Sequence, residues 1–342
     1  MITTFGEIML RIYPESSGNR IVNADTFIIE PGGSASNVAI ALSQLGNQTK
    51  FISSLPTNEL SDKIEQYLRM HGVDSYLVKK GSRVGVYWTE TGIGPRNSFV
   101  IYDRENSAFS EFQYDDIDWQ RILRNTNWFH FSGISPALSE SVCSLLERLV
   151  QNLKCSYSVD LNYRKKLWNW VEKDPDKIEL IMTNLCKNAT LISGNETDFS
   201  DIFGIQNSNN QDDDNYLQIA ESAFRKFPNT KYISLSNRRS YSASRNDWNG
   251  YLFVIEDQET VCYKSMNYNI DNIVDRVGTG DCFLAGIIHG LINFDRAQYQ
   301  KTVDFAATLA ALNHTTRGDA SYFSEEEVFR TMNNNGTGRI IR

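Results

Sequence analysis

The heptapeptide from Asp275 to Asp281, DRVGTGD, contains residue types that could hold an anion. The residues after it, CFLAGIIHGLIN, carry apolar side chains at helical spacing, so the glycines stand at the entrance to a predicted helix. Backbone N–H groups at a helix N-terminus have no intrahelical partner, and the helix dipole is positive there. Because Gly278 and Gly280 lack a Cβ, a ligand can approach this backbone closely. The heptapeptide therefore predicts a site for a phosphate group or a developing oxyanion.

Asp281 is expected in the first turn of that helix, where the dipole stabilises a carboxylate as the anion. From this position it could accept the proton of a hydroxyl group that attacks a phosphoryl group. The alternative is an aspartate that only caps the helix. Two common nucleotide motifs are excluded, because no GxxxxGK[ST] sequence occurs and Phe283 stands where a dinucleotide fingerprint needs its third glycine.

A second glycine segment, GGSASN at residues 32–37, leads into a helix predicted for residues 36–45. Paired glycines let a ligand lie against the backbone, and the amide of Asn37 can both donate and accept a hydrogen bond. Taken alone, this segment favours a loop with a serine N-cap. Two such loops, one near each end of the chain and each opening a helix, indicate a ligand site more specifically.

The order of the predicted elements shows how these loops are positioned. Strand-like and helix-like segments alternate, which predicts a mostly parallel sheet with helices on both faces. Strands are predicted at residues 3–9, 49–55, 127–132, 155–161, 189–193 and 231–236, and helices at 36–45, about 60–71 and 139–152. Residues 20–30 and 85–104 are rich in β-forming residues, and the second segment is a predicted hairpin that turns at 92–96. These strands are expected to form a small extra sheet that covers a site or makes a dimer contact.

The composition narrows the class of protein. Of the 342 residues, 41% are hydrophobic and 22% are charged, which excludes a wholly disordered chain. The net charge of −8 argues against non-specific nucleic-acid binding and against a basic membrane-surface protein. We expect no signal peptide, because the N-terminus has neither a basic region nor a long apolar region. We also expect no membrane span, because the longest apolar stretch, 283–292, is far shorter than the ~20 residues required.

Cysteine and histidine usage points to a cytoplasmic protein without a transition metal. The five cysteines include no CxxC spacing, which predicts reduced thiols in the cytosol. The four histidines are scattered, with no HExxH arrangement, so a tightly bound transition metal is not expected.

The two glycine segments resemble the signature regions of the ribokinase-like (PfkB) sugar kinases. The resemblance runs from GEIML at 6–10 to LNHTTRGD at 312–319, and within the family it is greatest to the 2-keto-3-deoxygluconate kinases. Further similar stretches are FHFSGISPALS (129–139), VDLNYRKKLW (159–168), ISGNETDF (192–199) and SASRNDW (242–248). The resemblance implies a three-layer α/β sandwich that forms one domain over residues 1–342, with lid strands at about 10–30 and 85–112.

The resemblance also implies a reaction, the ATP-dependent phosphorylation of the terminal hydroxyl of a keto-deoxy sugar acid. Asp281 would be the general base. The N–H groups of Gly278, Thr279 and Gly280 would hold the oxygens of the transferring phosphoryl group. Arg276 departs from the threonine that is more usual in the family.

The resemblance further implies a set of substrate-binding residues. They are Gly32, Gly33, Asn37, Tyr87, Tyr102, Arg104, Arg164 and Asp281. Arg104 matches the arginine that reads the acid end of the substrate, and the planar fork of arginine suits a carboxylate. Arg164 would lie near the path of the phosphoryl group. Tyr102 and Arg104 stand two apart on one predicted strand, so both should face the same side.

The nucleotide and its cations are implied in the same way. The ATP-binding residues would be Asn162, Arg164, Asn195, Ser236, Arg238, Gly278, Gly280 and Ala307. Whether Arg238 or Arg239 meets the phosphates stays open at this point. Mg²⁺ would be placed through water by Asn195 and Asp198, although a solvated acidic helix start is the alternative for this segment. Asp275, Asn313 and Gly318 fall where relatives often hold a monovalent cation.

Two rival functions remain open. A kinase of a neutral sugar such as fructose or ribose would make Arg104 structural. A catalytically silent binding protein would have no need to retain the Asp281 carboxylate. The expected partners are a small sugar acid and ATP. Apolar lid residues predict, in addition, a homodimer through the lid, and these residues are Phe27, Ile28, Ile29 and Trp88.

Overall fold

The computed structural model describes residues 1–16, 18–206, 213–295 and 298–333. The predicted extent of the domain, 1–342, includes positions outside these ranges and stays a prediction. The strands are β1 (Ile2–Phe5), β2 (Met9–Pro14), β3 (Phe27–Gly32), β4 (Thr49–Leu55), β5 (Asp74–Lys79), β6 (Val86–Glu90), β7 (Phe99–Asp103), β8 (Trp128–Ser132), β9 (Ser156–Asp160), β10 (Leu191–Gly194), β11 (Tyr232–Ser242), β12 (Arg245–Glu256), β13 (Glu259–Lys264) and β14 (Tyr268–Ile270). The helices are α1 (Ser34–Gln44), α2 (Glu59–Met70), α3 (Trp119–Ile122), α4 (Ile134–Leu138), α5 (Glu140–Asn152), α6 (Pro175–Cys186), α7 (Glu196–Phe203), α8 (Asp213–Lys226), α9 (Thr279–Asn293), α10 (Tyr299–Asn313) and α11 (Glu325–Asn333).

The large sheet has the strand order β13-β12-β11-β10-β9-β8-β1-β4-β5, with β14 beside β12. The pairs from β5 to β11 are parallel, whereas β12 pairs in antiparallel fashion with β11, β13 and β14. Every residue of β1 and β8 is buried. Strands that are buried on both faces are typical of a parallel sheet that helices cover on both sides.

Helices pack on both faces of this sheet. On one face α5 and α6 contribute Leu145 and Met182 to a core that also contains residues of α7 and α8. On the other face Val38 of α1, Ile287 of α9 and Ala306 of α10 share a second core. The predicted three-layer α/β sandwich is confirmed.

A second sheet, which we call the lid sheet, has the order β3-β2-β6-β7. β2 pairs with β6 in parallel, and the other two pairs are antiparallel. All five residues of the edge strand β7 are exposed. The predicted hairpin and its separate small sheet are therefore confirmed.

Several predicted boundaries are wrong, and each has a physical reason. A strand over 3–9 does not form, because the chain leaves the large sheet after Phe5 and enters the lid sheet at Met9. At Gly6 between them, a Cβ would lie 2.7 Å from the Cβ of Ala35, so only glycine lets the chain cross α1 this closely. In the first lid segment, residues 21–23 form a 3₁₀ turn and the strand begins only at Phe27.

The remaining differences concern strand ends. The second lid segment ends at Asp103, and residues 108–111 form a 3₁₀ helix whose Ala108 and Phe109 are buried. β11 continues six residues beyond the predicted end at 236, because the polar residues there pair with β12 at the rim of the sheet. Among the described residues, no helix is both long enough and apolar enough to cross a bilayer.

Close packing of α9 on α10 gives a stability prediction. A Cβ on Gly286 would lie 2.5 Å from the Cα of Ala306. Replacing glycine by alanine inside a helix ordinarily stabilises it by about 0.5–1 kcal/mol, whereas overpacking a core costs about 1–3 kcal/mol. We expect Gly286→Ala to lower the free energy of unfolding measured by urea denaturation. Ser144→Ala, on the exposed side of α5, serves as the control, and a gain in stability for Gly286→Ala would show that the two helices do not pack this closely.

Candidate active site

A cavity of about 580 Å³ opens where the carboxyl ends of the central parallel strands meet the N-termini of α1 and α9. Ser132, Asp160 and Gly194 line it from the ends of β8, β9 and β10. The carboxyl edge of a parallel sheet, at the point where strand order reverses, is where α/β proteins bind ligands. Tyr87 and Tyr102 of the lid sheet close the opposite side.

The cavity brings together most of the residues that sequence analysis selected. Those that line it are Gly33, Asn37, Tyr87, Tyr102, Arg104, Asn162, Arg164, Asn195, Asp198, Ser236, Arg238, Gly278, Thr279, Gly280 and Asp281. Gly32 lies just behind the wall, where a Cβ would collide with the hydroxyl of Tyr87. Ala307, predicted to lie by the nucleotide, does not line the cavity: it is 0% exposed and belongs to the core between the large sheet and α10.

Asp281 lies at the centre of the cavity and joins the two glycine segments. Ser34 Oγ donates to its Oδ1 at 2.7 Å, and Asn37 Nδ2 donates to its Oδ2 at 2.8 Å. The position of Asp281 in the first turn of α9 predicts that the helix dipole favours the anion. Burial instead raises the pKa of Asp281 to about 6, although the hydrogen bonds from Ser34 and Asn37 oppose this shift. The carboxylate is therefore ionised at neutral pH and still basic enough to accept a proton.

The glycine loop before α9 has the geometry of an anion site. Gly278 is the N-cap with φ +78°, and a Cβ there would collide with the main-chain oxygen of Asp319. A Cβ on Gly280 would meet no atom within 4 Å, so this residue faces open space. The first N–H groups of α9 have no intrahelical acceptor, and Gly278, Thr279 and Gly280 line the cavity. A phosphoryl group can therefore approach this backbone without a steric barrier.

Three guanidinium groups stand along one wall of the cavity, those of Arg164, Arg238 and Arg276. Desolvation and the neighbouring Arg164 lower the pKa of Arg238, and desolvation and Arg238 lower the pKa of Arg276. Such mutual repulsion is relieved when a polyanion binds between the cations. The structure also decides which of two adjacent arginines faces the cavity, since Arg238 lines it and Arg239 instead lies 5.4 Å from the ring of Tyr241.

Arg276, which stands where the family more usually has threonine, also makes hydrogen bonds within the protein. Its Nη2 donates to the main-chain oxygens of Ser242 and Ala243 at 3.1 and 2.6 Å. It therefore ties the glycine loop to the turn between β11 and β12. Arg276 lines the cavity although it was not predicted to, because the family pattern has threonine at its position.

The lid side of the cavity combines an arginine with two tyrosines. Tyr87 and Tyr102 stack with ring centroids 6.0 Å apart, and the Arg104 guanidinium lies 5.5 Å from the Tyr102 ring. The prediction that Tyr102 and Arg104 face the same side is confirmed. Arg104 also forms a buried ion pair with Glu7, to which its Nε donates at 2.8 Å. Glu7, which sequence analysis missed, thus offsets part of the charge that Arg104 would present to an acid.

The acidic helix start at α7 is a capping box. Asn195 Oδ1 accepts from the N–H groups of Thr197 and Asp198 at 2.9 and 3.0 Å. Asp198 in turn accepts from the N–H of Asn195 at 3.0 Å and from the N–H of Tyr163 at 3.1 Å. Both carboxylate oxygens of Asp198 therefore hold backbone groups, and burial raises its pKa to about 6. Asp198 is thus a buried capping residue rather than part of a solvated helix start, and its part in placing Mg²⁺ through water stays a prediction.

No direct protein cage for a divalent metal is present in the part of the chain that the structure describes, where no three His, Cys, Asp or Glu side chains cluster suitably. Glu196 lines the cavity beside Asp198. Mg²⁺ often keeps several of its waters and binds to phosphate oxygens with few protein ligands. The residues present therefore fit a metal that arrives with a nucleotide and is placed through water.

Asp160 ends β9 and was not selected from the sequence. Burial, then the charges of Asp281 and Asp198, raise its pKa well above the ordinary value. The signal for it was present, because a carboxylate that directly follows a buried strand lies at the ligand-binding edge of a parallel sheet.

Asp275, one of the three residues expected near a monovalent cation, pairs with a buried arginine. Asp275 and Gly318 come together, with the Gly318 N–H 3.4 Å from Asp275 Oδ2. The same oxygen, however, lies 2.7 Å from Nη2 of Arg11, which is 1% exposed. The carboxylate of Asp275 is therefore held in an internal ion pair, and the monovalent cation stays a prediction. Arg11 was missed because a single arginine in a lid strand belongs to no motif.

Comparison with known proteins decides the family. Residues 1–326 match the pfkB family carbohydrate kinase model. The chain belongs to the pfkB family of carbohydrate kinases. Over 98% of both chains it is 28% identical to a 2-dehydro-3-deoxygalactonokinase of Haloferax volcanii.

Two solved structures show how far the fold of this pfkB-family kinase is shared. A 2-dehydro-3-deoxygluconokinase from Thermotoga maritima is 36% identical, with a TM-score of 0.89, and the alignment covers 97% of this chain and 99% of that one. A PfkB family carbohydrate kinase from Listeria grayi is 29% identical, with a TM-score of 0.88 and the same coverage. The separate lid sheet and the mostly parallel sheet are thus those expected for the family.

The pKa of Asp281 gives a pH prediction for this kinase. A base with a pKa of about 6 is deprotonated above that pH and protonated below it. We expect kcat/KM with the best carbohydrate acceptor to fall as the pH drops through about 6, measured as initial rates from about pH 5 to about pH 8. Asp281→Asn should lower kcat by roughly 10²–10⁴-fold.

A second variant separates this pKa from other titrations. Ser34→Ala removes a hydrogen bond that lowers the Asp281 pKa. The acid limb of the profile should therefore move to higher pH. An unchanged limb in Ser34→Ala, or an Asp281→Asn variant with full activity, would show that another group is the base.

Proposed function

We propose that this pfkB-family kinase transfers the terminal phosphoryl group of ATP, with Mg²⁺, to the terminal hydroxyl of 2-keto-3-deoxygluconate or of its galactonate epimer. The observation that carries the proposal is the position of Asp281, buried between an arginine wall and a lid that contains an arginine and two tyrosines. A cavity with cations on both sides suits two anionic substrates. Relatives named as kinases of keto-deoxy sugar acids support the same substrate class.

The acceptor would lie between the ends of the central strands and the lid sheet. Arg104 would bind the acid end, and Tyr87 and Tyr102 would cover the carbon chain. Because Glu7 already holds Nε and one terminal nitrogen of Arg104, the substrate carboxylate would meet the remaining face of the guanidinium. Gly33 and Asn37 would then direct the terminal hydroxyl toward Asp281.

The chemical step needs a base and an anion site. Asp281 would accept the hydroxyl proton while the hydroxyl oxygen forms a bond to the γ-phosphorus and the bond to the ADP oxygen breaks. The N–H groups around Gly278, Thr279 and Gly280 would stabilise the oxygens of the transferring group. Arg164 and Arg238 would neutralise the nucleotide phosphates, with Asn162 and Ser236 along the same wall. Bound Mg²⁺ would add positive charge between the phosphate groups.

The substrate class can be tested with a panel of acceptors. ADP release should be measured with Mg²⁺-ATP and, in turn, 2-keto-3-deoxygluconate, its galactonate epimer, fructose and ribose. We expect both acids to be preferred strongly over the neutral sugars. Preference for fructose or ribose would establish the neutral-sugar kinase instead, and no turnover of any acceptor would favour the silent binding protein.

Arg104→Met tests whether Arg104 binds the carboxylate of the substrate. The variant should raise KM for the acid by roughly tenfold to a hundredfold, because a charge-assisted hydrogen-bonded pair contributes about 1.5–3 kcal/mol. Arg83→Met is the matched control, since Arg83 is a more exposed arginine near the lid that pairs with Asp103 outside the cavity. The melting temperature of both variants should be recorded, because Arg104→Met also leaves Glu7 unpaired. An unchanged KM in a folded Arg104→Met variant would make Arg104 structural.

We also propose a homodimer through the lid sheet and a cytoplasmic location. Ile29, Phe99 and Ile101 are 43%, 42% and 50% exposed, and β7 is an edge strand whose outer backbone groups can pair with a second copy. Strand edges related by a two-fold axis are self-complementary.

The cytoplasmic location is supported by the cysteines. They are free thiols in the described residues, which suits a reducing compartment where ATP is available.

The dimer can be tested by light scattering after size-exclusion chromatography. The natural chain should elute with twice the mass of the monomer, and Ile101→Asp should halve it. Val22→Asp is the control, because Val22 is 76% exposed but lies outside the lid strands. A monomeric natural chain would refute the proposal.

A further inference from the structure

Arg11 is the most completely buried cation of the lid sheet. Its Nη1 lies 2.6 Å from Asp319 Oδ1, its Nη2 lies 2.7 Å from Asp275 Oδ2, and its Nε donates to Thr89 Oγ1 at 2.9 Å. Burial alone would lower its pKa, but the charges of Asp319 and Asp275 raise the pKa of Arg11 above its ordinary value. The guanidinium is therefore permanently charged, and each of its nitrogens has a partner.

The two carboxylates that Arg11 binds hold the glycine loop from both sides. Asp275 accepts from the N–H groups of Arg276 and Val277 at 2.8 and 3.2 Å, directly before Gly278. The main chain of Asp319 packs against Gly278, at the position where a Cβ would collide with its oxygen. Arg11 thus holds both Asp275, which precedes the glycine loop, and Asp319, whose main chain packs against Gly278.

The same network reaches the lid side of the cavity. The hydroxyl of Tyr87 donates to Asp319 Oδ2, while Oδ1 of the same carboxylate binds Arg11. Arg11 itself lies on β2 and its partner Thr89 lies on β6, two residues after Tyr87. The position of Tyr87 on the lid side of the cavity is therefore coupled to the position of the glycine loop.

Without this cation the loop would lie above two buried carboxylates. Two like charges at close range repel each other and one of them then tends to take up a proton. Their field would also oppose the approach of a phosphoryl group to Gly278 and Gly280. A cation from solution could provide the same screening, and the buried Oδ1 of Asn313, which has no hydrogen-bond partner among the described residues, is an acceptor at which such an ion or a water could sit.

We propose that Arg11 is a built-in cation that positions the glycine loop, so that phosphoryl transfer by this protein does not require a monovalent cation from solution. The proposal rests on the kinase function proposed above. Arg11 does not touch the reacting atoms, and it is therefore a positioning residue. Its guanidinium would keep Asp275, Asp319 and the loop in one arrangement whatever ion the solvent supplies.

The first experiment compares cations. Rates of the natural enzyme should be measured in potassium, sodium and tetramethylammonium chloride at equal ionic strength, and we expect kcat to agree within about twofold. Arg11→Met should lose kcat on the order of a hundredfold, because small displacements of a catalytic loop have effects of that size. Low millimolar guanidinium chloride should restore part of this loss, whereas urea at the same concentration should not, since it carries no charge. Arg148→Met, an exposed arginine of α5, is the matched control.

Binding provides a second readout that does not depend on turnover. The affinity for Mg²⁺-ADP, measured by calorimetry, should be the same in potassium and in tetramethylammonium for the natural chain and weaker for Arg11→Met. If the natural chain turns over no acceptor, the kinase proposal fails, and this measurement alone then decides the role of Arg11.

Three results would overturn the proposal. They are a natural enzyme at least about fivefold faster in potassium than in tetramethylammonium, an Arg11→Met variant with natural kcat, and equal restoration by guanidinium and urea. If Arg11→Met does not fold, the charge-conserving Arg11→Lys variant replaces it. The kcat of a folded Arg11→Lys enzyme should then be the same in potassium and in tetramethylammonium chloride, as for the natural enzyme. A potassium requirement in Arg11→Lys would show that the positive charge alone does not fulfil the role of Arg11.

Discussion

The structure depends on one carboxylate that is held by two helix N-termini. Ser34 and Asn37 of α1 donate to Asp281 of α9 over 2.7 and 2.8 Å, although these residues stand 247 and 244 positions apart in the chain. The parallel sheet makes this meeting possible, because it places the starts of both helices at the same edge. Burial of the carboxylate there raises its pKa to about 6, so the fold and the basicity of Asp281 have the same origin.

Positive and negative groups lie on different sides of Asp281. The wall that contains Arg164, Arg238 and Arg276 carries positive charge at the mouth of the cavity, whereas the carboxylates of Asp275 and Asp319 beneath the glycine loop share the single positive charge of Arg11. An anion that enters is therefore attracted by the arginines and is repelled less by the two carboxylates than it would be without Arg11. On the lid side Glu7 moderates Arg104 in a similar way, which holds the guanidinium in place for a ligand.

Sequence patterns were sufficient for the architecture and for the two glycine segments, because helical periodicity and the positions of glycine are local properties. They were not sufficient for Arg11, Glu7 and Asp319, whose partners lie on other elements. The helix-dipole argument for Asp281 was also incomplete, since a local argument cannot count the water that the rest of the fold removes. Ala307 illustrates the converse: a small residue in a helix is compatible with a nearby nucleotide, but the structure buries this one in the core.

The distance along the chain between interacting residues also affects how the protein folds. The ion pair between Arg11 and Asp319 spans 308 positions, and the contacts of Asp281 span nearly 250. Loops of this length are closed late, after local helices and neighbouring strands have formed. A nascent chain that has emerged only as far as β14 would already contain the lid sheet and the strand ends that line the cavity, yet it would lack α9 and its carboxylate. Completion of the cavity is therefore confined to the last stage of synthesis, and a chain terminated before α9 would lack Asp281 altogether.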